Sequence, residues 1–191
     1  MKKHFLAGLA AFLVTQSVFA GVLTLNGDSQ RIDNVAIASD GSATVEGRTS
    51  ALTLAGAGLR AKKVVFINVY VAQLLMNDPS RFVRTVGSGD VQNAFRDSLL
   101  ANQVDPDSES VKAFLDAVSA GGDAVNGKTL VIVGEKLADG TEVITFENNQ
   151  GQAIPIHGAS GFVKQIFSIW LGKTIDSGLG SLKKTILGAS N

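Results

Sequence analysis

The chain of 191 residues sets 17 basic against 17 acidic side chains, is 45% apolar, and contains 21 glycines, 2 histidines and no cysteine. Without cysteine there is no disulfide, thiolate nucleophile, iron–sulfur cluster or cysteine-based zinc site, and so few histidines leave almost no imidazole for a metal cage. A net charge of zero also excludes the clustered basic excess that holds proteins to nucleic acid or anionic membranes.

Residues 1–20 read as an export leader. Lys2 and Lys3 form a positive start, Phe5 to Val14 an apolar run, and Val18-Phe19-Ala20 ends in a small residue of the kind a signal peptidase reads. Cleavage is expected after Ala20. The run is too short to span a bilayer, which takes about 20 apolar residues. Its removal takes away Lys2, Lys3 and His4 and leaves acidic groups in slight excess. No cysteine follows Ala20 to carry a lipid anchor, so the pattern implies a periplasmic or secreted bacterial protein with no integral membrane segment after cleavage.

From Gly21 to about Met76 the sequence is β-like, with short Val, Ile, Thr and Leu runs divided by Asn26-Gly27, Asp40-Gly41 and Gly47. Asx-Gly pairs between alternating runs predict hairpins, because the favoured turn needs positive φ at both central residues. Lys62 to Met76 reads as one long strand with apolar residues on both faces, hence covered on both sides, and Arg81 to Val86 as a further strand. Two amphipathic helices follow, Asp90 to about Val104 and Ser108 to about Ala120, the second N-capped by Ser108 after Pro106 and stopped by Gly121-Gly122. Strands are expected over Thr129–Val133, Glu142–Glu147 and Gln152–Ile156, with turns at Asp139-Gly140 and Asn148 to Gly151. Helices at Gly161 to Leu171 and about Ser177 to Leu187 close the chain. Strands, two helices, hairpins and two helices in that order predict an α+β fold, an antiparallel sheet with a layer of helices packed on one face. Residues 21–191 contain no repeat or linker and read as one domain.

Few residues carry chemistry. Gly56-Ala57-Gly58-Leu59-Arg60-Ala61 fits the loose dinucleotide-binding pattern, but a strand-like run follows it where that fingerprint needs a helix. Ser160 in Gly158-Ala159-Ser160-Gly161 does not meet the G-x-S-x-G spacing of a nucleophile elbow, and His157 beside a turn reads as a surface polar group. Asp105, Asp107 and Glu109 suit the positive end of the coming helix. No metal site and no cofactor are expected. Arg60 is the charge of interest: facing inward beside an apolar cleft it makes a clamp for a ligand carboxylate, and facing outward it is a solvated strand end.

Leu-Ala-Gly-Ala-Gly-Leu-Arg60, then Val-Val-Phe-Ile-Asn-Val-Tyr70-Val, the helix from Phe95 to Asn102, and the ending Ile169-Trp170-Leu171-Gly172 with Leu182-Lys183-Lys184-Thr185-Ile186-Leu187-Gly188 together resemble the chalcone isomerase-like family, in its exported bacterial branch. The resemblance runs from about Ala51 to Gly188 and implies an open-faced sandwich of antiparallel sheet and helices. In the plant enzymes of the family an arginine, two hydroxyl residues, a tyrosine and an asparagine position a chalcone for ring closure. By resemblance Arg60 takes the arginine's place and Asn102 the asparagine's, whereas Val65, Phe95 and Ile169 stand where the hydroxyl-bearing residues would be. Other members of the fold family bind fatty acids, with the corresponding arginine against the carboxylate.

Three readings follow. The first is a periplasmic, non-catalytic protein binding a fatty acid or similar apolar anion, with Arg60 at the head group, Asn102 and Tyr70 assisting, and Phe95, Val65 and Ile169 lining a tunnel. The second is an isomerase or intramolecular lyase acting on an enone or polyphenol-like substrate with Arg60 as electrophile. The third is a structural or accessory protein in which Arg60 pairs with an internal carboxylate.

Overall fold

The computed structural model describes residues 21–33, 35–62, 67–76, 81–86, 91–121 and 130–188. In chain order the elements are β1 (Leu23–Asn26), β2 (Gln30–Ile32), β3 (Val35–Ile37), β4 (Asp40–Val45), β5 (Arg48–Lys62), β6 (Ile67–Met76), β7 (Arg81–Val86), α1 (Val91–Ala101), α2 (Glu109–Ala120), β8 (Leu130–Lys136), β9 (Glu142–Glu147), β10 (Ala153–Gly158), α3 (Phe162–Leu171) and α4 (Ser177–Ile186). Among the described residues, one antiparallel sheet runs β1-β4-β5-β6-β7-β8-β9-β10, and β2 pairs with β3 in a separate hairpin. The α+β class and the antiparallel sheet agree with the sequence reading.

Strand periodicity sorts the apolar residues into two clusters. Ala72 and Leu74 of β6, Leu130 and Ile132 of β8, and Ile144 and Phe146 of β9 face the helices and pack with Phe95, Phe114, Ile166 and Trp170. The intervening positions, Leu75, Val131, Val133 and Val143, point the other way and pack with Val22, Ala43, Val45 and Leu52. Among the described residues no helix contributes to this second cluster, which is enclosed by the sheet and the segments at its strand ends. Strands lie about 4.8 Å apart, which would put β1 and β9 roughly 29 Å from each other in a flat sheet of this order. Yet the Val22 N–H, one residue before β1, donates to Glu147 Oε2 at the end of β9 at 2.5 Å, and Arg48 on β5 reaches Glu135 on β8 at 3.4 Å. The sheet curls towards its helix-free face until its first strands meet β8 and β9. Bulges in β5 at Leu54/Gly56 and Arg60/Ala61 supply bend and extra twist.

Several local expectations need correction. Asn26-Gly27 and Asp40-Gly41 do not close hairpins between consecutive strands. β1 pairs with β4, with Leu25 opposite Gly41 and Asn26 opposite Asp40, and the β2–β3 hairpin is an excursion between them. Gly27, at φ 64, still turns the chain; Asp40 and Gly41 are extended residues of β4. The tight turn lies at Glu46-Gly47, with φ of 47 and 77, joining β4 to β5. Lys62 ends β5 rather than starting the next strand, and Gly56-Ala57-Gly58 lies inside β5; Val64, Val65 and Phe66 lie outside the described residues, as does the leader, residues 1–20. Ser108 occupies the N-cap position of α2 without capping it through its side chain, because its Oγ donates back to the Asp105 carbonyl at 2.8 Å.

The helix layer is fastened by side chains at helix ends. Glu142 on β9 is buried and accepts the Val163 N–H at 2.7 Å, satisfying a free donor at the positive end of α3. At the other end of α3, Lys183 Nζ donates to the Gly172 carbonyl at 2.8 Å. Phe95 of α1 stacks with Phe114 of α2 at 6.1 Å and meets Trp170 of α3 edge-on at 4.9 Å, so three helices share one aromatic cluster.

Candidate functional site

Arg60 lies near the end of β5, directly opposite Tyr70 on β6, at the second bulge of the strand. Helix α4 crosses β5 just before it. A Cβ on Gly58 would sit 3.0 Å from Leu182 Cδ1 and 3.1 Å from Thr185 Cβ, and one on Gly56 would collide with the Ile186 carbonyl. The two glycines of the Leu-Ala-Gly-Ala-Gly-Leu segment therefore make room for a helix, and that close approach brings the α4 N-terminus to Arg60.

The group presented there is Asp176, the N-cap of α4. Its Oδ1 accepts the Leu179 N–H at 2.7 Å, and its Oδ2 accepts from Arg60 Nη2 at 2.5 Å. The Arg60 side chain is 20% exposed and that of Asp176 42%, so the pair sits at a rim between core and solvent. Partial burial pushes the Asp176 carboxyl up, but the Leu179 N–H and the Arg60 guanidinium together outweigh it and hold the carboxyl below its ordinary value. Asp176 is thus an ionised acceptor with both oxygens engaged, which makes it a poor proton acceptor near neutrality. Sequence reading missed it: the Asp-Ser start of α4 signals a cap, but nothing in linear order connects it with a guanidinium 116 positions earlier.

Asn102, just past α1, is held by backbone. Its Nδ2 donates to the carbonyls of Ser98 at 2.8 Å, Ser168 at 3.2 Å and Lys173 at 3.0 Å, and its Oδ1 accepts the Lys173 N–H at 2.6 Å. Gly172 lies so close that any Cβ there would strike Oδ1. The amide joins the end of α1 to the α3–α4 connection, the segment that leads to Asp176. Phe95 and Ile169 are closed into the helix-facing core at 4% and 2% exposure. Tyr70 is placed by its backbone opposite Arg60, and Val65 lies outside the described residues. The structure therefore brings Arg60 and Tyr70 into register, ties Asn102 to Lys173 at the start of the segment that ends at Asp176, and buries Phe95 and Ile169 in the helix-facing core.

Sequence comparison places this antiparallel sheet with its helix layer in a family: residues 29–188 match the chalcone isomerase-like family. The chain belongs to the chalcone isomerase-like family. None of the curated proteins compared with it matches significantly. Membership agrees with the α+β fold, and in this chalcone isomerase-like protein the Arg60 guanidinium faces Asp176. Among the described residues, no three His, Asp or Glu side chains gather in a way that would hold a metal, and no helix is long and apolar enough to cross a membrane.

Proposed function

We propose that this chalcone isomerase-like protein is exported and binds a fatty acid or similar apolar anion without transforming it, with the Arg60 guanidinium at the ligand head group. The Arg60–Asp176 pair carries the reading. A guanidinium presents five N–H donors in a planar fork, so a ligand carboxylate can join or replace Asp176, and the pair is exposed enough to be reached. Ile175, next to Asp176, is 41% exposed and offers apolar surface beside the charge. By resemblance Tyr70 and Val65 belong to the ligand site as well, with the buried Phe95 and Ile169 as its apolar backing. Asn102 acts indirectly, by fixing the segment that carries Asp176. Export rests on the leader pattern of residues 1–20. The absence of catalysis rests on the hydrocarbon side chains of Val65, Phe95 and Ile169 at the hydroxyl positions and on the engaged state of Asp176.

Mass spectrometry of protein purified without detergent, together with oleate titration, tests the proposal. A co-purifying carboxylic lipid, and oleate binding weakened at least tenfold by Arg60→Met, is the expected result; an empty protein that ignores oleate sinks it. Enone turnover that disappears in Arg60→Ala would replace it by the isomerase reading. The pairing with Asp176 favours one further reading, a purely structural role for Arg60, in which Arg60→Met lowers stability and leaves lipid content unchanged.

A further inference from the structure

The first described residues of the chain meet the far side of the sheet at a single carboxylate. Glu147 ends β9, and its Oε2 accepts the Val22 N–H at 2.5 Å. Val22 in turn offers its carbonyl to the Thr44 N–H of β4 at 2.8 Å, so this one residue bridges two strands that the sheet order keeps far apart. A Cβ built on Gly21 would lie 3.2 Å from Glu147 Oε1 and 3.3 Å from Oε2. Gly21 has no Cβ, and the place where one would be is open towards both oxygens.

We propose that Glu147 is the receptor for the α-ammonium that leader removal creates on Gly21. The inference rests on the proposed cleavage after Ala20. Hydrolysis of the Ala20–Gly21 peptide by a signal peptidase adds one water: Ala20 leaves with a carboxylate, and the Gly21 nitrogen, formerly an uncharged amide, takes up protons and becomes –NH3+. Once that nitrogen is no longer held in a peptide, a third of a turn about the Gly21 Cα–C bond moves it into the open Cβ position, within salt-bridge distance of both Glu147 oxygens. The precursor lacks this ion pair, because an amide nitrogen carries no charge. Processing therefore adds a clasp that locks the N-terminal segment across to β9 and holds the curled sheet shut.

Among the described residues, the backbone partners at this place carry no charge. The residues opposite Glu147 on both flanking strands are Val131 and Ala153, and Thr44 of β4 faces Val22; none of these titrates. The following Asn148 is occupied with Gln150 and Gln152.

The test uses protein exported from the full-length precursor. Its intact mass identifies the first residue, and any residue other than Gly21 overturns the proposal at the cleavage step, leaving lipid binding to be judged by its own experiment. With Gly21 first, carbon-13 methylation of the amines and titration by NMR reads the α-amino group. It is expected to titrate about one unit or more above the usual 7.7–8.0 and to return to that range in Glu147→Gln. An ordinary value in the unaltered protein overturns the capture while sparing the cleavage site. Should Glu147→Gln fail to fold, the melting temperature of the unaltered protein decides. A group whose folded value is raised stabilises below its unfolded value, so the melting temperature must fall as pH rises from about 8 through the raised value. A flat profile there overturns the proposal.

Discussion

At the scale of single residues, this protein spends its polar side chains on holding segments together. Asn102 makes four bonds to backbone groups of Ser98, Ser168 and Lys173, and truncation removes all four, although the Ser98 and Ser168 carbonyls keep the backbone N–H groups of Asn102 and Gly172. Asn102→Ala is expected to cost about 2–3 kcal/mol, read from urea unfolding followed by the single tryptophan, Trp170, which is 2% exposed in the native state. A cost under about 0.5 kcal/mol would show that the amide is dispensable to the α1 to α3–α4 junction. Asp176 supplies a pH signature. Its carboxyl is lowered from 3.8, so the charge it places against Arg60 and the α4 N-terminus stabilises fully above that ordinary value and is lost as pH falls through the lowered one. Acid titration of stability should therefore show a component below about pH 4 that Asp176→Asn abolishes; an unchanged profile would show that the pair contributes nothing to folding.

At the scale of elements, the decisive contact is α4 against β5. Gly56 and Gly47 separate two reasons for a glycine. Gly56 is required for space, since its Cβ would strike the Ile186 carbonyl, whereas Gly47 has open surroundings and a φ of +77. Gly56→Ala is expected to displace α4 and cost roughly 3 kcal/mol or more, while Gly47→Ala pays only for its backbone conformation, about 1 kcal/mol. Because α4 carries Asp176, Gly56→Ala should also loosen the Arg60 pair, which amide exchange at Leu179 would report as lost protection. Equal costs for the two substitutions would contradict the packing role of the Gly-Ala-Gly segment.

At the scale of the whole molecule, a sheet with helices on one face has a second face to hide, and here curling hides it. Its interior is apolar except for groups such as Thr145, opposite Val133 on β8, whose buried Oγ1 has no hydrogen-bond partner. Replacing that hydroxyl by a methyl in Thr145→Val removes an unpaired polar atom at nearly constant shape. The change is expected to be neutral or to stabilise by up to about 1 kcal/mol, measured as a denaturation midpoint. A loss of 1 kcal/mol or more would mean that the hydroxyl is satisfied in solution.

Local chemistry dictates the elements of this fold. Alternating Val, Ile and Thr runs dictate strands, the 3.6-residue spacing of Val111, Phe114, Leu115 and Val118 dictates α2, and the order of these elements dictates an α+β fold with its family. Arg60 is conspicuous in one dimension as well, because a guanidinium follows a run of glycines and apolar residues. What each of these groups faces depends on segments far away in the chain. Asn26-Gly27 and Asp40-Gly41 look like hairpin turns locally, but β1 gains more by pairing with β4 across an intervening hairpin. Asn102 and Arg60 look alike as polar groups on an apolar background; the partner of one is a stretch of backbone and that of the other a helix cap. Those partners lie 71 and 116 positions away in the chain, and a hydrogen bond acts over about 3 Å of space regardless of that separation. Residue types and spacing fix which elements can form, and the packing of α4 on β5 and the curl of the sheet fix which side chains meet.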